Sequence, residues 1–204
     1  RSTRAAEALH LLEQALELAR RNGAQGDLAL ALNELGLAHF FLGDMAPART
    51  LWREALTLME DQDDALRLSS CLQNLAMVTV EKGEHERLLQ QAIAAGEKHG
   101  DQLGLSASLT KYAVFLKTAY GDAAEARRLQ AKVVEMERDL GNLENQMRAL
   151  CAVSCYEVQL GDLRGAERSL AEAAETGARL DSAEPRRVTA FHGDLDFGLA
   201  LVHF

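Results

Sequence analysis

The residues of this chain that are able to do chemistry are few, and their spacing decides what they can do. Cysteine occurs at Cys71, Cys151 and Cys155, and histidine at His10, His39, His85, His99, His192 and His203. Cys151 and Cys155 stand at i, i+4, which on a helix gives them one face and makes them two soft ligands for a metal. A structural zinc site needs four ligands, and no other Cys or His lies within a turn of this pair. Two small apolar residues on a helix face is the better reading. The histidines are scattered, and His39 falls where two helices meet, as an interface residue. The acidic run Glu60-Asp61-Gln62-Asp63-Asp64 lacks the glycine and the alternation of a calcium loop, so it reads as a solvated turn. No glycine-rich phosphate loop, His-Glu-x-x-His or Gly-x-Ser-x-Gly motif is present. The sequence therefore predicts no catalytic residue, no metal and no cofactor, and a protein that is not an enzyme.

Composition narrows the class further. Of 204 residues 48% are hydrophobic and only 5% aromatic, with two prolines, so alanine and leucine carry the core and favour helix. No run of eighteen apolar residues exists, so no membrane span is expected. Net charge is -9 and the isoelectric point is about 5.2, with both signs interspersed. A surface that tracks phosphates needs a basic face, and none is visible, so nucleic acid is not an expected partner. An odd cysteine count in a helical chain is no disulfide framework, which points to a reduced, cytoplasmic setting. The opening Arg-Ser-Thr-Arg leads straight into a helical pattern without a signal-peptide core, and Arg1 in place of Met suggests an excised fragment.

The elements that position these residues are organised around 27–60. Leu32, Leu35, Gly36 and His39 share one helical face, and Ala48, Leu51, Trp52 and Ala55 repeat that spacing after Leu42-Gly43-Asp44. Small residues at Gly36, Ala48 and Ala55 let two antiparallel backbones come close, with Trp52 expected to be buried between them. The pattern recurs. Gly-acid pairs stand at Gly43-Asp44, Gly83-Glu84, Gly121-Asp122 and Gly161-Asp162, spaced 40, 38 and 40. Ala8, Ala48, Leu88, Ala126 and Ala166 keep the same intervals, as do Ala15, Ala55, Ala95, Val133 and Ala173. The spacing predicts full hairpins over 27–60, 65–99, 102–140 and 142–180, a half repeat over 4–21, and a half repeat or capping helix over 186–204. Each Gly is expected to end a first helix, and each following acid to cap a second one. Asp122-x-x-Glu125 has the spacing of a capping box. Glu157 stands where an apolar residue is typical, which predicts a position at the rim.

A Leu-Gly pair in the first helix, Gly-Asp in the turn and Ala-aromatic-Ala in the second helix resemble the tetratricopeptide repeat. The period near 40 is similar to that of long repeats in bacterial regulatory and signalling proteins. The resemblance implies an all-α, right-handed superhelical solenoid of antiparallel hairpins, about ten helices in all, that acts as a protein–protein or peptide interaction scaffold. It also implies a concave groove lined by the first helices. On this sequence the groove positions are Leu30, Asn33, Leu37, Phe40 and Phe41 in the first hairpin and Gln73, Met77 and Val80 in the second. The third hairpin contributes Thr110, Val114 and Lys117, and the fourth Arg148, Cys151, Cys155 and Gln159. Asn33, Gln73 and Thr110 form a polar file able to bond a ligand backbone, among apolar neighbours that suit an apolar or amphipathic segment. The alternative is homodimer formation through the end helices, driven by Leu11 and Leu12 or by Phe197 and Leu201.

Overall fold

A computed structural model describes residues 2–60 and 65–183. Among the described residues it contains nine α-helices and no strand: α1 (Ser2–Asn22), α2 (Gln25–Leu42), α3 (Met45–Glu60), α4 (Ala65–Met77), α5 (Lys82–His99), α6 (Gln102–Tyr120), α7 (Ala123–Asp139), α8 (Leu143–Gln159) and α9 (Leu163–Ala183). The expected half repeat over 186–204, with Phe197 and Leu201, lies outside the described residues. The backbone contacts divide the chain into two units, Arg1–Ser108 and Leu109–Phe204.

In the first unit α2 and α3 pack through Leu32, Leu35, Trp52 and Ala55, each no more than 4% exposed. Gly36 makes this approach possible, since a Cβ on it would stand 2.6 Å from Trp52 Nε1. Trp52 is 0% exposed, and its indole N–H donates to the carbonyl of Asn33 at 3.1 Å. The turn follows from Gly43, whose left-handed φ of 88° lets its N–H close back on α2. Two bonds fix how the next first helix lies. Arg67 donates to the Gly26 carbonyl and Asn74 to Asn33 Oδ1, each across 41 residues, so α2 and α4 run parallel in one register.

The second hairpin departs from the expected turn. Gly83 does not end α4; it lies inside α5, which starts at Lys82, while α4 stops at Met77. The cap is Glu81, whose carboxylate accepts from the backbone N–H groups of Gly83 and Glu84. Those bonds, Glu84 first, hold the Glu81 carboxyl below the usual carboxylate range. The cap is therefore complete at neutral pH, present above the unfolded-state value and lost as pH falls through the lower folded one. Thr79 makes the turn, buried, with its hydroxyl on the Leu75 carbonyl at 2.8 Å. The packing register survives, with Leu88, Ala92 and Ala95 inward.

In the second unit Leu109, Ala113, Ala126 and Val133 pack the inner faces of α6 and α7, and Leu150, Ala166, Leu170 and Ala173 those of α8 and α9. Asp122 caps α7 by accepting from the Glu125 N–H, while the Glu125 carboxylate turns to Arg128 at 2.6 Å. Glu157 is not at the rim. It is 3% exposed and accepts from Arg127 of α7 at 2.8 Å and from the Ser169 hydroxyl of α9 at 2.7 Å. A buried carboxylate is tolerable because charged and neutral donors from two helices replace its water.

Candidate functional site

The first-helix faces are the surfaces on which the sequence placed the site, and each unit presents its own. On α2, Leu30, Leu37 and Phe41 follow one another at i, i+7 and i+11 and so share a face. Phe41 is 77% exposed and Leu30 38%. Phe40 is half-buried, its ring 6.0 Å from Trp52 and 5.7 Å from Phe41. Phe41 is thus an exposed ring seated edge-on against an anchored one. The Asn33–Asn74 bond sets α4 alongside, and the 41-residue register puts Met77, 40% exposed, level with Gly36 and Leu37. Val80 is 97% exposed, but it lies beyond the end of α4, in the turn.

The polar file behaves differently from its expectation. Asn33 is 7% exposed and its side-chain oxygen accepts from the Asn74 amide N–H at 3.2 Å. Gln73 is 6% exposed and donates to Ser108 Oγ at 2.8 Å and to the Gly104 carbonyl at 3.2 Å. These amides tie first helices to one another.

In the second unit Val114 is exposed on α6, with Thr110 and Lys117 half-buried beside it. Burial holds the neighbouring Lys111 ammonium below its usual range. On α8, Arg148 and Gln159 are exposed, Cys155 is half-buried and Cys151 is 8% exposed. Arg148 faces Glu144 one turn earlier at 3.5 Å. This face is more polar than that of the first unit; toward the end of α6, Tyr120 is 50% exposed and stands edge-on to Phe115 at 5.7 Å.

Among the described residues no group of three or more His, Cys, Asp or Glu is placed to hold an ion. Cys71 is buried, its Sγ 3.3 Å from the Trp52 carbonyl, and burial pushes its pKa up to about 12. A thiol so held is protonated and unreactive. No helix of the described residues is long and apolar enough to cross a membrane.

Residues 28–61 match the tetratricopeptide repeat family model. No curated protein matches the chain in sequence. Among solved structures, BtubC (BKLC) from P. vanneervenii is 17% identical at a TM-score of 0.70, over 98% of this chain and 88% of that one. A putative kinesin light chain from Podosopora anserina with nearly identical TPR-like repeats is 18% identical at 0.69, over 89% and 90%. Aspartyl phosphate phosphatase F from Bacillus subtilis is 12% identical at 0.75, over 96% of this chain and 54% of that one. At these identities the likeness is one of fold. Residues 28–61 thus match a tetratricopeptide repeat, and the described residues have the all-α fold of tetratricopeptide-like repeat proteins.

Proposed function

We propose that this chain is a non-catalytic scaffold that binds an apolar or amphipathic segment of a protein partner on the α2–α4 face of its first unit. A tetratricopeptide fold stacks hairpins whose first helices present a continuous surface, and such a surface recognises peptides and helices. The observation that carries the reading is Phe41, 77% exposed on an ordered helix, with Leu30, Leu37 and Met77 on the same surface. Isolated exposed apolar residues are ordinary; a contiguous set holding a ring braced by a second ring is a docking feature. Asn33 and Gln73 hold the helices beneath it in register rather than reading the ligand. The setting we infer is a cytoplasmic regulatory or signalling protein.

The test is a selection of random fifteen-residue peptides on the protein. Sequences with apolar residues at helical spacing should be enriched, and Phe41→Ala should weaken the selected peptides about tenfold. Phe41 is solvent-facing, so that variant keeps the fold. Enrichment of sequences indifferent to Phe41→Ala would sink the reading. A second reading, self-association, is favoured by Leu11 and Leu18 on one face of α1, 64% and 57% exposed. Light scattering across a hundredfold concentration range separates the two: a constant monomer mass excludes it.

A further inference from the structure

The second unit contains an open cleft of about 510 Å³ that the first-helix faces do not account for. Arg138 of α7, Gln146 of α8 and Arg168, Glu172, Glu175 and Arg179 of α9 line it. Gln146 and Arg148 are two residues apart, about 200° of helical rotation, so the cleft opens on the opposite side of α8 from the Arg148 face. Arg138 is occupied, held by Glu135 and by Glu172 at 2.6 Å. Arg168 and Arg179 make no ion pair among the described residues. Gln146 is 3% exposed and makes no side-chain hydrogen bond among the described residues, while it lines the cleft.

We propose that this cleft binds an acidic peptide segment of a protein partner. Two guanidinium groups without an ion pair among the described residues and a sunken amide are a donor set for carboxylates and for a peptide backbone. Their spacing selects an elongated ligand. Arg168 and Arg179 are eleven residues apart on one face of α9, about 16 Å along the helix, so one phosphate cannot meet both. About five residues of extended chain cover that distance. Glu175 lies between them and repels an acid placed at mid-segment, which weakens an acidic ligand without removing the pull of the two guanidinium groups. The hairpin itself does not require these residues. At the equivalent places of the first hairpin, 118 residues earlier, Gln146, Arg168 and Glu175 are replaced by Leu28, Thr50 and Thr57.

The probe is fluorescein-labelled hexaglutamate followed by anisotropy, with hexalysine and inorganic phosphate alongside. Hexaglutamate should bind and hexalysine should not. Arg168→Glu with Arg179→Glu should weaken hexaglutamate at least about tenfold, and Gln146→Ala by several-fold, as lost charged and neutral hydrogen bonds do. Glu175→Gln should tighten it, while Arg87→Glu, on the first unit, should leave it unchanged. Arg87, Arg168, Glu175 and Arg179 are exposed and the Gln146 side chain has no hydrogen bond among the described residues, so unchanged melting temperatures certify the fold. The idea is overturned if Arg87→Glu weakens binding as much as the α9 pair, if hexalysine binds equally, or if phosphate displaces hexaglutamate at matched concentration. Phe41→Ala should not affect this binding, so failure here and failure of the α2–α4 reading are separable.

Discussion

The first and the fourth hairpins fill the same places with different chemistry. Position for position, 118 residues apart, Gly36, Trp52 and His39 of the first correspond to Ser154, Leu170 and Glu157 of the fourth. In the first, a large ring lies against a bare backbone, and its N–H donates to the carbonyl of Asn33. In the fourth, a smaller Leu170 leaves room for Ser154, whose hydroxyl donates to the carbonyl of Cys151, the counterpart of Asn33. Both hairpins therefore supply an extra donor to the same mid-helix carbonyl, once from the partner helix and once from the helix itself. The third position differs in reach. His39 is half-buried and has its side-chain polar partner in its own turn, Asp44 at 3.3 Å, whereas Glu157 joins α7, α8 and α9. The repeat conserves volume and a satisfied carbonyl, and leaves open which residue provides them.

That contrast is breakable. Glu157→Ala should destabilise the second unit by about 2–3 kcal/mol, since it strands Ser169 and half-frees Arg127, while His39→Ala should cost under about 1 kcal/mol. Thermal melting by circular dichroism reads both, and equal losses would remove the distinction. Gly36→Ser should cost about 1–2 kcal/mol because the buried indole leaves its Cβ no room. Combined with Trp52→Leu, which recreates the fourth hairpin's pair, the loss should fall short of the sum by about 1 kcal/mol. Strict additivity would mean that the two positions do not trade volume. The third hairpin offers the opposite sign. Gln130 stands at the Trp52 place, 2% exposed, with its carbonyl oxygen lacking a partner among the described residues. Gln130→Leu should raise stability by about 1 kcal/mol, and a lower melting temperature would refute the comparison.

Where these features sit explains how much of them the sequence could reveal. Helix periodicity and the left-handed glycines Gly23, Gly43, Gly121 and Gly161 are local properties, so most helix ends were readable. Gly83 misled because a Gly-acid pair signals a turn only if nothing upstream caps the helix sooner. Glu81-x-x-Glu84 and the β-branched run Val78-Thr79-Val80 carried that warning. Glu157 was misread because its partners come from 30 residues earlier and 12 later, beyond any local pattern. Asn33 and Gln73 lie on the expected faces, yet nothing in their identity says that a neighbouring helix takes their hydrogen bonds. The α9 cleft was missed for the same reason, since its residues stand on three helices and look like ordinary surface charge. Leu30, Phe41 and Met77 were named through the resemblance to the tetratricopeptide repeat, and the exposure of each follows from its place on its own helix.

Trp52 is the single tryptophan of the chain. Its indole, enclosed and donating to Asn33, is thus an optical reporter confined to the first hairpin, blind to everything from Leu109 onward. Repeat arrays can lose cooperativity along their length. Fluorescence and far-ultraviolet circular dichroism, recorded in one denaturant titration, then become a ruler: coincident curves mark a chain that melts as one body, and separated midpoints time the first hairpin against the rest.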